Sequence, residues 1–100
     1  GDERVEEQPV LTSMHTVGLR LHNMIVDRLY RVSKEKDDEI LFQEGRRIMG
    51  ALLQLVTYRE WLPLVLGQTA MKDWQLHLHD DGHQETYSPK VNPTIANVFS

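Results

Sequence analysis

Pro9-Val10-Leu11-Thr12-Ser13-Met14-His15-Thr16-Val17-Gly18-Leu19-Arg20-Leu21-His22-Asn23-Met24-Ile25-Val26-Asp27-Arg28-Leu29-Tyr30-Arg31-Val32 is the stretch that decides the fold. Leu11, Met14, Val17, Leu21, Met24, Ile25 and Leu29 recur at intervals of three and four residues, which places them in one stripe along a helix. Pro9 suits the first helical turn, where its missing N–H is not needed. The segment therefore predicts one long helix from near Pro9 to near Val32. Gly18 lies inside it and costs about 1 kcal/mol relative to Ala, so it either permits close packing or is a local weakness.

Working outward, Ser33 to Asp38 is a polar break. Asp37 or Asp38 can cap a second helix, with Glu39 in the first turn where the helix dipole favours negative charge. Ile40, Leu41, Ile48, Met49, Leu52, Leu53 and Val56 give that helix a broad apolar face, which predicts that it is well buried in its native setting. Pro63 is expected to end it near Glu60. Leu64 to Gly67 reads as a short apolar segment with Gly67 as its stop, and Thr69 as the cap of a short helix through Ala70, Met71 and Trp74. His77 to Pro89 is polar and rich in turn formers, hence a loop. Asn92-Pro93 then signals a helix start, with Ile95, Val98 and Phe99 at helical spacing. Strand signals are nearly absent: Leu76-His77-Leu78-His79 alternates, but over four residues only. The expected class is all-α, with two longer helices plus short helices and loops.

Composition bounds the function. The 100 residues allow one small domain at most, and 40% hydrophobic with 26% charged residues are compatible with folding. A net charge of −4, without interleaved basic and aromatic residues, argues against nucleic acid as a partner. No apolar run approaches the length of a membrane span. With no cysteine there is no disulfide, thiolate metal site or cysteine nucleophile. Asn92 is followed by Pro93, so it is not a usable glycosylation acceptor. The charged start without an initiator Met, and the stop at Ser100 just as a helix begins, are what an internal piece of a longer protein is expected to look like.

Each residue that could carry chemistry has a plain alternative. Arg4 offers a permanent charge and several donors in a fixed fork, but is equally a surface charge beside Asp2 or Glu6. Glu7 lies one helical turn from Arg4 and can share its side, but a glutamate near a helix start is explained by the dipole alone. His15 and His22 share roughly one face of the first helix, and packing or hydrogen bonding is the simpler role than haem or zinc ligation. His77, His79 and His83 with Asp80 and Asp81 could hold a metal weakly, although a solvated loop accounts for them. Asp37, Asp38 and Glu39 form neither a calcium loop nor a catalytic pair. Trp61 and Trp74 read as core or interface residues.

A series of ordered motifs goes further. Gly1-Asp2-Glu3-Arg4-Val5-Glu6-Glu7-Gln8-Pro9 resembles the stretch around the distal arginine of animal haem peroxidases, the group that includes myeloperoxidase, lactoperoxidase, peroxidasin and peroxinectins. Leu11-Thr12-Ser13-Met14-His15-Thr16, Leu19-Arg20, His22-Asn23, Phe42-Gln43-Glu44, Arg46-Arg47-Ile48 and Gly50-Ala51 continue the match. So do Tyr58-Arg59-Glu60-Trp61-Leu62-Pro63-Leu64-Val65-Leu66-Gly67, Tyr87-Ser88-Pro89 and Val91-Asn92-Pro93-Thr94-Ile95-Ala96-Asn97. The resemblance covers nearly the whole chain in order. Gly18, Leu21 and Gly45 depart from the family pattern, where a bulky residue, Glu and Ala are usual.

The resemblance implies that residues 1–100 are part of a mainly helical peroxidase catalytic domain, from the distal arginine segment to the start of the proximal helix. It implies haem as cofactor, hydrogen peroxide and a halide, phenol or similar donor as substrates, and secretion. Arg4 takes the place of the catalytic distal arginine. Glu7 takes that of the glutamate that can be esterified to a haem methyl group. Gln8 stands where some members have a Met bonded to a haem vinyl; Gln cannot form that sulfonium, which points to the lactoperoxidase or peroxidasin type. The distal histidine falls before this segment and the proximal histidine just after Ser100, while the family's calcium ligands do not map here. The isolated chain is therefore expected to be inactive, its remaining partner being the rest of the domain. Two other readings are a non-catalytic, peroxidase-like adhesion or interaction module, to which Gly18, Leu21 and Gly45 lend some support, and an independent small helical domain.

Overall fold

The computed structural model describes residues 3–79, 82, 87–92 and 94. It is helical and, among the described residues, contains no strand: a 3₁₀ turn (Glu3–Glu6), α1 (Pro9–Ser33), α2 (Asp38–Val56), a π turn (Thr57–Trp61) and α3 (Leu62–Asp73). The all-α architecture with two long helices agrees with the periodicity.

The helix ends follow from local chemistry. Pro9 opens α1, and Lys34 closes it in the left-handed region (φ 59°), its N–H donating to the Tyr30 carbonyl at 3.2 Å. In the connection the Glu35 carboxylate accepts from the N–H groups of Lys36 (2.8 Å) and Asp37 (3.0 Å). Asp37 is the cap of α2: its Oδ1 accepts from the N–H of Glu39 at 2.9 Å and of Ile40 at 3.3 Å.

Helices α1 and α2 pack at a close approach that depends on Gly45. That residue is buried, and a Cβ added to it would lie 2.7 Å from Val26 Cγ2 and 3.1 Å from His22 Cε1. Val26 is β-branched and has one strongly preferred rotamer in a helix, so it yields poorly. The His22 ring meets Phe42 of α2 edge-on, with centroids 5.4 Å apart. The glycine that departs from the family pattern at 45 is thus a packing position. Gly18 is the opposite case: a Cβ there would meet nothing within 4 Å, which makes it the local weakness rather than a point of close packing.

One expectation is corrected. Pro63 does not end the helical path near Glu60; α2 ends at Val56 and the chain stays helical through Thr57–Trp61 into α3. The Leu62 N–H donates to the Thr57 carbonyl, five residues back, and this widened turn lets the helix pass a proline that has no N–H and would crowd the preceding carbonyls. The apolar face of α2 is mostly open: Leu41 is buried (6% exposed), whereas Ile40, Leu53 and Val56 are exposed. Trp61 and Trp74 are not core residues, at 56% and 77% exposed. The one fully buried large side chain among the described residues is Met71 of α3.

Gly67 acts as the expected break. At φ 76° and ψ 164° it interrupts helical geometry within α3, a conformation open to glycine. The helix then closes beyond Trp74 in a Schellman arrangement: Gln75, at φ 55°, donates its N–H to the Lys72 carbonyl (3.1 Å), and Leu76 donates to the Met71 carbonyl (2.9 Å). Leu76 to His79 have no regular structure. The Thr94 N–H donates to Asn92 Oδ1 at 2.9 Å. The expected helix at Pro93, Ile95, Val98 and Phe99 lies outside the described residues.

These two glycines respond oppositely to substitution. Gly18→Ala is expected to stabilise the chain by up to about 1 kcal/mol. Gly45→Leu is expected to destabilise it by about 1–3 kcal/mol through overpacking against Val26 and His22. Helicity at 222 nm and the urea midpoint of each variant check the signs.

Candidate functional site at the start of the first helix

The described residues that resemble peroxidase site residues lie on one continuous piece of backbone, the 3₁₀ turn and the junction into α1. The Glu7 N–H donates to the Arg4 carbonyl at 3.1 Å, an i to i+3 bond. Glu7 follows the last residue of the 3₁₀ turn, one such bond from Arg4, and both residues are exposed.

Gln8 has a local task. Its backbone is extended and its Oε1 accepts from the Val10 N–H at 3.1 Å, making it the N-cap of α1. Thr12 completes the junction. Its hydroxyl donates to the Val5 carbonyl at 2.7 Å and lies 3.3 Å from that of Gln8, while its N–H donates to the Gln8 carbonyl at 3.2 Å. Sequence reading includes Thr12 only as part of a family motif. A threonine four residues past an unrecognised glutamine cap gives no composition or spacing signal.

The other candidates separate from this junction. His22 is half-buried against Phe42 and under Gly45, so its role is helix packing, while His15 is exposed on α1. His77 and His79 line an open groove of about 390 Å³ with Tyr58, Arg59, Gln68 and Pro63. Among the described residues no group of three or more histidines and carboxylates is placed to hold a metal. Asp2, Asp80, Asp81 and His83 lie outside the described residues. No helix among the described residues is long and apolar enough to cross a membrane.

Comparison with known proteins gives this helical chain its class. The family profile described as animal haem peroxidase matches residues 1–100, and the chain belongs to that family. It is 46% identical to human (Homo sapiens) myeloperoxidase over 100 residues, all of this chain and 13% of that protein. It is 44% identical to lactoperoxidase of Mesocricetus auratus, again over all of this chain and 13% of the relative. With peroxidasin of Drosophila melanogaster the identity is 40% over all of this chain and 6% of the relative. The chain thus spans a small part of the length of the relatives it matches.

The cap bond of Gln8 predicts a graded response. Gln8→Ala is expected to lose about 0.5–2 kcal/mol of helix-start stability, while Gln8→Asp, a stronger cap, retains or exceeds the native value. Hydrogen exchange at the Val10 amide, faster in the first variant and not in the second, is the measurement.

Proposed function

We propose that this chain is the distal-arginine part of a haem-dependent peroxidase that reduces hydrogen peroxide and oxidises a halide, phenol or similar small donor, secreted as the family resemblance implies. The observation that carries the reading is the match of the animal haem peroxidase family along the whole chain, with exposed Arg4 and Glu7 joined by one i to i+3 backbone bond ahead of α1.

The donor set fits haem chemistry. Haem, when bound, supplies the two-electron oxidation that breaks the peroxide bond. Arg4 supplies a cation that stays protonated and, in a water-excluded pocket, stabilises negative charge on the departing oxygen. Glu7 supplies a carboxylate suited to an ester with a haem methyl group, in which peroxide provides the oxidising equivalents. Gln8, which has no thioether, offers no sulfonium link to a vinyl group; it holds the helix start beside Glu7 and would be among the residues that hold the cofactor. The turn carries no imidazole, so the proton-moving base and the iron ligand belong to other parts of the domain, as do the calcium ligands. Exposed apolar residues on one stripe of α1, Val10, Met14, Val17 and Met24, favour the rest of a peroxidase domain as the covering partner.

Replacing the matching segment of human myeloperoxidase by residues 1–100 tests this reading. The chimera is expected to take up haem and turn over peroxide. Arg4→Ala within it is expected to lower kcat/KM for peroxide by about 10²–10³-fold. A chimera in which Arg4→Ala stays within three-fold of its parent, as an order-of-magnitude bound, contradicts the role of Arg4. The isolated 100-residue chain mixed with haem is expected to give no peroxidase turnover.

A further inference from the structure

We infer that Thr12 is a positioning residue for the arginine and glutamate turn, acting through its hydroxyl on the Val5 carbonyl; this rests on the reading of Arg4 and Glu7 given above. The other hydroxyls of α1 behave differently. Ser13, Thr16 and Ser33 each donate to the carbonyl four residues back within the helix, at 2.8, 2.8 and 2.7 Å. Such bonds are local and tie nothing to the helix from outside. The Thr12 hydroxyl lies 3.3 Å from the Gln8 carbonyl four residues back, but its shorter bond reaches back seven residues, out of the helix, to the carbonyl of Val5 at 2.7 Å.

Val5 sits between Arg4 and Glu6 in the 3₁₀ turn and is half-buried, as is Thr12. The turn is short and runs into the helix through Gln8 and Pro9. A four-residue 3₁₀ turn has little stability of its own. Pinning its central carbonyl fixes the direction in which the turn departs from α1, and with it the direction in which Arg4 and Glu7 project. A cation or a nucleophilic carboxylate displaced by about 1 Å from its reacting partner loses much of its effect, on the order of 10²-fold in rate. Thr12 touches neither substrate nor cofactor in this account; it works through Val5.

Thr12→Val keeps the branched shape and removes the hydroxyl, Thr12→Ser keeps the hydroxyl, and Thr12→Ala is a second hydroxyl-free variant should the branched one misfold. Each is made in the myeloperoxidase chimera carrying residues 1–100. Hydrogen exchange at the Glu7 amide, which donates to the Arg4 carbonyl, is expected to quicken about five-fold or more in the hydroxyl-free variants, the fold-change of one lost hydrogen bond. The share of haem that stays with the protein after denaturing extraction, and the rate of reaction with peroxide, are expected to fall about ten-fold or more. Thr12→Ser is expected to restore all three, with exchange at the Leu41 amide unchanged throughout. Parental exchange and haem retention in Thr12→Val, or an equal loss in Thr12→Ser, overturns the inference. If Arg4→Ala in the same chimera has no effect on peroxide turnover, the functional reading fails, and exchange at Glu7 still decides whether Thr12 anchors the turn.

Discussion

Everything described in this chain is arranged around the place where the α2 backbone, at Gly45, presses against Val26 and His22 of α1. No side chain separates the helices at that point, and the His22 ring fills the adjoining space against Phe42. Close approach there sets the direction of α2, and through α2 the position of the π turn and α3. It also holds the part of α1 that follows the N-terminal junction. Burial away from this contact is sparse, so the helical pair has little else to fix its geometry: Leu41 and Met71 are the buried apolar side chains among the described residues.

The site sits at the other end of α1 and is built by different means. A helix cap, a 3₁₀ closure and one threonine hydroxyl hold Arg4 and Glu7, all of them hydrogen bonds within a dozen residues. Such a junction forms from local sequence and is solvated unless something packs on it. Hydrogen bonds of this kind each contribute about 1 kcal/mol net, enough to bias a direction and too little to hold one against a competing contact. Within the proposed function, the open apolar stripe of α1 is a face for the rest of the domain to cover. Within the proposed function, exclusion of water by that cover is what gives the Arg4 charge its strength.

Much of this was legible in the sequence because the governing signals are local. The three-and-four spacing from Leu11 to Leu29 gave α1 to within a residue at its C-terminal end, and the acidic break at Asp37 gave the cap of α2. The break at Gly67 was readable because glycine is the residue that tolerates its φ. What was not legible depends on partners outside the local window. Pro63 looks like a stop until the i to i+5 bond from Leu62 to Thr57 shows how the helix widens to pass it. The α2 face looks like core because hydropathy reports the tendency to be buried and not the presence of a covering element. Gly45 is only a departure from the family pattern until Val26 is seen facing it. Arg4 and Glu7 came from ordered family motifs; Thr12 required the coordinates, because nothing in a Thr-Ser pair tells which hydroxyl bonds inside its helix and which reaches beyond it.

The central claim is that the turn at the head of α1 presents Glu7 to a haem. The most direct measurement is mass spectrometry of tryptic peptides from the haem-loaded chimera after turnover with peroxide. The account predicts haem mass on the peptide running from Val5 to Arg20, with fragmentation placing it on Glu7, and loss of that species in Glu7→Gln. A chimera that turns over peroxide while its haem is recovered wholly unlinked, or linked with Glu7 unmodified, would contradict it.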